Sequence, residues 1–203
     1  MDVYFYLVEG KPYFNVTNKC SNNCDFCIRN NRQTMEGQVL WLKNPTPDAD
    51  SIIKQIPSDT DFCQEFTFCG FGEPTYNLNA YLTVAKYIKE KGGKVRLNTN
   101  GQSDLINKRP TALDICEVTD TVSISLNEST AKDYQRLCKS DFGEDAYKAV
   151  ISFASDCHKY GAQVIMSIVD IIGEEKIRQC QKICDEIGVK LRIRSYISDT
   201  ECK

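Results

Sequence analysis

The sequence contains only one histidine, His158, and only one tryptophan, Trp41, among its 203 residues. A single imidazole cannot form a zinc or iron site that depends on several histidines. No apolar run approaches the ~20 residues that a membrane-spanning helix needs. The first residues include Asp2 and Glu9 and no basic segment, which is atypical of a secretory signal. We therefore expect a cytoplasmic protein without a membrane partner.

Neither sign of charge is in large excess, since 25 Lys and Arg residues accompany 28 Asp and Glu residues, a net charge of -3. This acidic balance argues weakly against a broad nucleic-acid-binding face. Hydrophobic residues make up 41% of the chain and charged residues 26%, as is usual for a globular protein. Because no low-complexity tract or linker interrupts the sequence, we expect a single domain over residues 1–203.

Cysteine, by contrast, is abundant, since the chain has 11 distributed along its length. In a chain of this size without a secretory signal, metal ligation together with buried free thiols explains them better than disulfides. Cys180 and Cys184 share the apolar face of a predicted helix with Ile177 and Ile187, so we interpret them as small hydrophobic residues. An auxiliary cluster that also uses Cys202 is the alternative.

Three further cysteines need separate interpretations. Cys63 and Cys69 lie just before and at the end of the second predicted strand, and we expect them to be structural thiols as well. Cys138 ends a predicted helix, where a thiol on the substrate side is an alternative to a structural one. We place His158 on the solvated face of its helix and give it no catalytic role.

Strand and helix patterns alternate along most of the chain after a hairpin turn at Glu9 and Gly10, an order typical of a parallel sheet with right-handed crossovers. Eight strand–helix units would close a barrel, whereas six give an open one. The sequence therefore predicts an α/β fold, a partial (β/α)6 TIM-like barrel with an N-terminal β-hairpin. Its strands are expected at 13–16, 66–69, 95–99, 121–126, 164–169 and 191–194. Helices are expected from about 47 and over 78–88, 129–138, 143–160 and 174–187, while 111–116 is ambiguous.

Three of these strands carry polar residues at alternate positions, although strands covered on both faces are nearly all apolar. The alternation occurs at 95–100, 122–127 and 191–194. Its polar side chains would line an interior near the C-terminal strand ends, where barrels of this kind keep their sites. Because buried polar groups are costly without partners, we expect a polar ligand to fill this interior.

The most specific motif is C-x3-C-x2-C, formed by Cys20, Cys24 and Cys27. Three thiolates on one short loop can converge on a metal centre, and iron–sulfur clusters are held in this way. A tetrahedral zinc site needs a fourth ligand, and no Cys or His follows before Cys63. Three ligands for four irons would leave one iron open, which suits catalysis. Clustered free thiols, or a zinc site completed by a distant residue, are the alternatives.

A second motif, Gly-Phe-Gly-Glu-Pro at 70–74, follows the second predicted strand. Its glycines permit close approach of the backbone to a ligand. The carboxylate of Glu73 and nearby carbonyl groups could receive a cationic amine. An ordinary turn between strand and helix is the alternative.

The cysteine motif, with the aromatic Phe26 before its last cysteine, resembles the signature loop of radical SAM enzymes. The resemblance implies a [4Fe–4S] cluster on Cys20, Cys24 and Cys27, whose open iron binds S-adenosylmethionine (SAM). It also implies an electron donor such as flavodoxin or ferredoxin. One electron then cleaves a C–S bond of SAM, and the resulting 5′-deoxyadenosyl radical abstracts hydrogen from a substrate, while the protein orients the reactants.

By the same resemblance, the turn at 70–74 holds the methionine amino group, although Phe71 replaces the motif's first glycine. Polar residues at the third and fourth strand ends would contact the methionine carboxylate and the ribose, with strand-end turn chemistry as the alternative. Met166, Ser167 and Val169 are loose candidates near the adenine. The residues assigned to the cofactor are Phe26, Gly70, Phe71, Gly72, Glu73, Asn98, Asn100, Ser125, Asn127 and Ser167.

The resemblance extends to one group in this superfamily, the TatD-linked radical SAM proteins, whose name records a genomic association and supplies no substrate. It rests on segments 27–30, 40–42, 69–74, 98–101, 123–127, 137–138 and 142–143.

Small radical SAM enzymes of this build resemble the activating enzymes of glycyl-radical proteins, which act on a protein backbone. We therefore expect hydrogen abstraction from a peptide, protein or other bulky substrate. A small molecule or RNA is the second hypothesis. A non-catalytic iron–sulfur electron carrier is the third, and it would leave the glycine–glutamate turn without a use. Candidate substrate-side or carboxylate-binding groups, each with a structural ion-pair or packing role as the alternative, are Arg29, Trp41, Arg192 and Arg194.

Overall fold

A two-residue turn at Glu9 and Gly10 joins the first two strands of the main sheet. Both residues have positive φ, +50° and +76°, which the favoured two-residue hairpin turn requires. The strands β1 (Phe5–Val8) and β2 (Lys11–Phe14) pair antiparallel across it. The predicted hairpin is thus confirmed in this computed structural model, which describes residues 2–30 and 32–196.

The main sheet has seven strands in the order β1-β2-β5-β6-β7-β8-β9. Every pair after the hairpin is parallel, so six parallel strands follow one another in chain order, as predicted. Within the described residues β9 pairs only with β8, so the sheet is an open, partial barrel. The remaining parallel strands are β5 (Glu65–Phe68), β6 (Lys94–Thr99), β7 (Thr121–Ser125), β8 (Gln163–Val169) and β9 (Lys190–Arg194).

Helices connect the parallel strands. The ambiguous segment 111–116 is helical, and a further short helix, α3, was not predicted because its five residues are too few for a periodic pattern. A 3-10 turn (Pro74–Asn77) leads into α2. The helices are α1 (Ala49–Ile53), α2 (Leu78–Glu90), α3 (Ser103–Asn107), α4 (Ala112–Val118), α5 (Ala131–Cys138), α6 (Asp145–Lys159) and α7 (Glu174–Ile187). No described helix is long and apolar enough to cross a membrane.

The long polar segment between β2 and α1 has structure of its own. It contains a 3-10 turn (Ile28–Asn30) and a small hairpin, β3 (Thr34–Met35) with β4 (Gln38–Val39). Beyond this hairpin the buried Leu40 packs with Tyr6 and Phe71 in a satellite cluster apart from the main core. This cluster fastens the segment to the edge of the sheet beside the cysteine motif.

The main core lies between the sheet and its helices. The Phe14 and Phe68 rings stack with centroids 4.9 Å apart, and Tyr81 of α2 meets Phe68 edge-on at 4.7 Å. Cys180 and Cys184 are fully buried in the same core, which confirms their interpretation as small hydrophobic residues. Cys202 lies outside the described residues.

Two other cysteines differ from the expected buried structural thiols. Cys63 is exposed, because it lies in the irregular segment before β5 rather than on an apolar face. Cys69 is half-buried and follows the last residue of β5, where it faces the interior of the barrel. The imidazole of His158 is exposed, as predicted.

Replacing the buried thiol of Cys184 by a hydroxyl should be destabilising, because an apolar site offers the added polar group few partners. We expect Cys184→Ser to lower the free energy of unfolding by about 1–3 kcal/mol. The matched change Cys63→Ser, at an exposed position, should stay within about 0.5 kcal/mol. Anaerobic urea unfolding of the metal-free protein measures both values, and equal losses would contradict the assigned burial.

Candidate functional site

A cavity of about 280 Å³ opens at the C-terminal ends of the parallel strands. The motif of three cysteines forms one wall, and the polar residues of β6 to β9 form the others. Except for Phe71, the structure brings every residue predicted for the cluster and the cofactor to this cavity. They are Cys20, Cys24, Phe26, Cys27, Gly70, Gly72, Glu73, Asn98, Asn100, Ser125, Asn127 and Ser167.

Gln102, which is fully buried, fastens the cysteine loop to the barrel. Its Oε1 accepts from the Ser21 hydroxyl at 2.8 Å and from the Ser140 hydroxyl at 2.9 Å. Its Nε2 donates to Asn22 Oδ1 and to the Tyr134 hydroxyl, both at 2.8 Å. Since Ser21 and Asn22 lie between Cys20 and Cys24, this amide ties the loop to the barrel, together with the Asn100 side chain, which donates to the Ser21 hydroxyl at 2.9 Å, and the Asn23 N–H, which donates to the Cys138 carbonyl oxygen at 3.0 Å.

Sequence reasoning missed this network. Ser21 and Gln102 are 81 positions apart, and nothing in the spacing of either residue announces the contact. The only available signal was that the loop residues between the cysteines are polar and would need partners if buried.

Arg29 also holds the loop in place. Its guanidinium donates to the Asn22 carbonyl oxygen at 2.9 Å and to the Phe71 carbonyl oxygen at 3.4 Å. These bonds connect the cysteine loop with the glycine–glutamate turn. Arg29 therefore has a structural role, which was the alternative to its role on the substrate side. Trp41 is 40% exposed and packs on the Phe71 ring at a centroid distance of 5.3 Å.

The two glycines of the turn are needed for contact with the protein itself. A Cβ at Gly70 would lie 2.2 Å from Asn15 Oδ1, and one at Gly72 would lie 2.3 Å from the Thr17 carbonyl oxygen. The sequence predicted that these glycines let the backbone approach a ligand. In the structure they let it approach the segment that leads from β2 into the cysteine loop. The side chain of Phe71 is buried in the satellite cluster, away from the cavity.

Glu73 places a buried carboxylate at the cavity, with only 3% of the residue exposed. Its Oε1 accepts from the hydroxyls of Thr75 and Thr99 at 2.8 and 2.7 Å, and its Oε2 accepts from the Asn100 N–H at 2.6 Å. Burial raises the pKa of Glu73, and these hydrogen bonds oppose that rise. A cation bound in the cavity would therefore favour the ionised form.

Asn127 is a second buried polar group that faces the cavity. It is 2% exposed, has a φ of +59° and donates from Nδ2 to the Cys138 sulfur at 3.5 Å. Its Oδ1 has no hydrogen-bond partner within the described chain. Such an orphan acceptor fits a ligand that carries a hydroxyl or N–H donor, as the ribose of SAM does.

Two looser candidates do not reach the cavity. Met166 is fully buried in the main core, because it alternates along β8 with Ser167 and faces the helices. Val169 is buried and does not line the cavity. Ser167 does line it, in register with Ser125 of β7.

The three cysteines of the motif line one wall of the cavity. Among the described residues, no three Cys, His, Asp or Glu side chains are close enough together to hold a single metal ion. A zinc ion binds all its ligands at one centre, whereas a cluster binds each thiolate on a different iron. Three thiolates on one wall of a cavity can each bind a different iron of such a cluster.

The thiols need a metal to stay ionised. Burial raises the pKa of Cys20 to about 12 and also raises the pKa of Cys27. The pKa of Cys24 is raised by its hydrogen bond to the Cys138 thiol and by burial. Bound metal keeps such ligands deprotonated. Cys138, fully buried, thus contacts Cys24 directly and has no free access to a substrate.

A sequence model described as the Radical SAM superfamily matches residues 14–187. The chain belongs to the radical SAM superfamily. This superfamily uses a [4Fe–4S] cluster and S-adenosylmethionine, and the donor set of the cavity fits both. No curated protein matches the sequence.

Solved structures with the same fold include other radical SAM proteins. Streptococcus suis SuiB bound to its precursor peptide SuiA has a TM-score of 0.66 at 19% identity, over 91% of this chain and 38% of that one. SuiB bound to S-adenosylmethionine has the same TM-score at 20% identity, over 92% and 40%. Methylornithine synthase (PylB) has a TM-score of 0.58 at 15% identity, over 91% and 52%. The chain thus spans between about two fifths and half of these proteins.

Removing the Gln102 amide should leave several buried polar groups without partners. We expect Gln102→Leu to lower the free energy of unfolding by roughly 2–4 kcal/mol. The control Gln181→Leu removes an exposed amide that donates to Asp185, and should change stability by less than about 0.5 kcal/mol. Chemical denaturation of the metal-free proteins compares the two, and a small loss for Gln102→Leu would show that the network is dispensable.

Proposed function

We propose that this chain is a radical SAM enzyme that abstracts a hydrogen atom from a peptide or protein substrate. The observation that carries the proposal is the single cavity at which the three cysteines, the buried carboxylate of Glu73 and the orphan oxygen of Asn127 meet. An electron carrier would need the cysteines but would have no use for the other two groups.

Cys20, Cys24 and Cys27 would hold the cluster, and the polar strand ends would hold SAM. When bound, these two groups supply an electron and a 5′-deoxyadenosyl radical. The chain itself binds and orients. Glu73 would attract the cationic amino group of SAM. Asn127 would accept a hydrogen bond from the ribose of SAM. The walls limit access of water to the radical.

The choice of a peptide or protein substrate is supported by the shape of the fold. Within the described residues β9 has no neighbour beyond β8, and Ile28, which lines the cavity, exposes apolar surface at 36%. The neighbouring structure of SuiB contains a precursor peptide. A small-molecule substrate is the second candidate, favoured by the modest cavity volume of about 280 Å³.

The proposal also covers the subfamily, the electron donor and the cellular location of the protein. The pattern of motifs supports membership of the TatD-linked group. We further propose a reductant such as flavodoxin or ferredoxin and a cytoplasmic location, where thiols stay reduced. The net charge of -3 does not favour RNA as the substrate.

Loss of one cluster ligand should abolish the chemistry. Cys24→Ala, reconstituted anaerobically with iron and sulfide, should fail to retain a [4Fe–4S] spectrum and should form no 5′-deoxyadenosine with dithionite and SAM. The control Cys63→Ala changes an exposed thiol outside the cavity and should behave as the wild type. A full cluster in Cys24→Ala would refute the ligand assignment. If the wild-type protein holds an intact cluster but forms no 5′-deoxyadenosine, the proposed enzymatic activity is refuted.

Neutralising Glu73 should weaken SAM binding, since a buried carboxylate attracts a cation more strongly than an amide does. We expect the Kd for SAM of reconstituted Glu73→Gln to rise at least about tenfold, or about 1.4 kcal/mol. The control Glu65→Gln removes an exposed carboxylate at the opposite end of β5. Equilibrium dialysis with labelled SAM measures the three constants, and an unchanged Kd for Glu73→Gln would contradict the role.

A further inference from the structure

Two arginines on the last strand face the cavity from the side opposite Glu73. Arg192 and Arg194 belong to β9, whereas Glu73 follows β5, and three strands separate β5 from β9 in the sheet. We propose that Arg192 and Arg194 form a subsite that binds a carboxylate group of the substrate. This inference rests on the proposed function and adds the chemistry of the substrate to it.

The strand register aims both arginines at the cavity. Arg192 is in register with Ser167, which is in register with Ser125, and paired residues of parallel strands share a face. Arg194 lies two residues further on and therefore points to the same side. Arg192 is exposed at the mouth, while Arg194 is half-buried.

Neither guanidinium forms an ion pair with an Asp or Glu side chain of the described residues. The Nε of Arg194 is buried and has no hydrogen-bond partner there. By contrast, Arg96, which also lies on the inner face of the sheet, forms an ion pair with Glu65, with 3.9 Å between Nη1 and Oε1. A guanidinium carries five donors, and burying them unpaired is costly. Burial lowers the pKa of Arg194, and the like charge of Arg192 lowers it further, whereas the thiols of Cys69 and Cys24 oppose this shift.

No Asp or Glu side chain of the described residues forms an ion pair with either arginine. Glu73 accepts hydrogen bonds from the Thr99 hydroxyl and the Asn100 N–H, and Asp170 accepts one from the Tyr196 N–H at 2.9 Å. A carboxylate that pairs with these arginines therefore comes from outside residues 2–30 and 32–196. A planar guanidinium fork matches a carboxylate, which in a peptide is an acidic side chain or the C-terminus.

The carboxylate of SAM is the competing ligand. In the proposed function the methionine end of SAM lies at the turn after β5 and at the end of β6, and three strands separate β5 from β9 in the sheet. The subsite therefore serves a second, separate carboxylate, and the two can be distinguished by measuring SAM binding in the same variants.

The test uses the reconstituted, SAM-bound protein and glutarate as the probe, with glutaramide as its uncharged analogue at constant ionic strength. Isothermal titration calorimetry should detect saturable binding of glutarate and none of glutaramide. We expect Arg194→Gln and Arg192→Gln each to raise the Kd for glutarate at least tenfold. Arg194→Lys, which keeps the charge but not the fork, should fall between them and the wild type. The control Arg178→Gln, on the surface of α7, should bind as the wild type does.

Several results would overturn the subsite. They are equal binding of glutaramide, tighter binding of inorganic phosphate than of glutarate, or wild-type affinity in both glutamine variants. A rise in the Kd for SAM by the same factor would assign the arginines to the carboxylate of SAM. If glutarate binds only after Asp199→Asn and Glu201→Gln, acids outside the described residues occupy the subsite instead.

The same preparations separate this inference from the proposed function. Formation of 5′-deoxyadenosine without glutarate binding would refute the subsite alone. An intact cluster that forms no 5′-deoxyadenosine would refute the proposed function, whatever the arginines bind.

Discussion

The candidate site depends on the buried hydrogen bonds that tie the cysteine loop to the barrel, and the side-chain amide of Gln102 makes two of them. The cysteine loop has little regular secondary structure, so the strand and helix patterns around it do not determine its position. Gln102 fastens it to the barrel through Ser21 and Asn22, and Tyr134 and Ser140 complete the network. With every member satisfied, such a buried network holds one geometry, because any displacement leaves a polar group unpaired.

The interior of the open barrel carries charge at its two sides. Glu73 follows β5 on one side, and Arg192 and Arg194 lie on β9 on the other. A ligand with a cationic end near Glu73 and a second ligand with an anionic end near β9 would each complete a buried charge. This arrangement gives a physical reason for polar alternation in strands whose other face packs against helices.

Much of the fold was predictable because its signals are local. Periodicity located the helix Glu174–Ile187, and alternation indicated which residues of β6 and β7 face inward. The reason that glycine occupies positions 70 and 72 could not be predicted from the sequence. Gly70 and Gly72 make room for Asn15 and Thr17, and only the folded chain brings these residues together. The helix Ser103–Asn107 was missed, since one turn and a half carries no period.

The sequence alone determined the chemistry that the loop can support, because the spacing of Cys20, Cys24 and Cys27 is a local property of the chain. It also indicated most of the residues that reach the cavity, since the ends of parallel strands meet at one edge. Only the tertiary structure showed that Phe71 is buried away from the cavity and that the Cys138 thiol is hydrogen-bonded to Cys24. It also showed that the Nε of Arg194 has no hydrogen-bond partner within the described residues. These outcomes depend on contacts between distant segments, which no local pattern encodes.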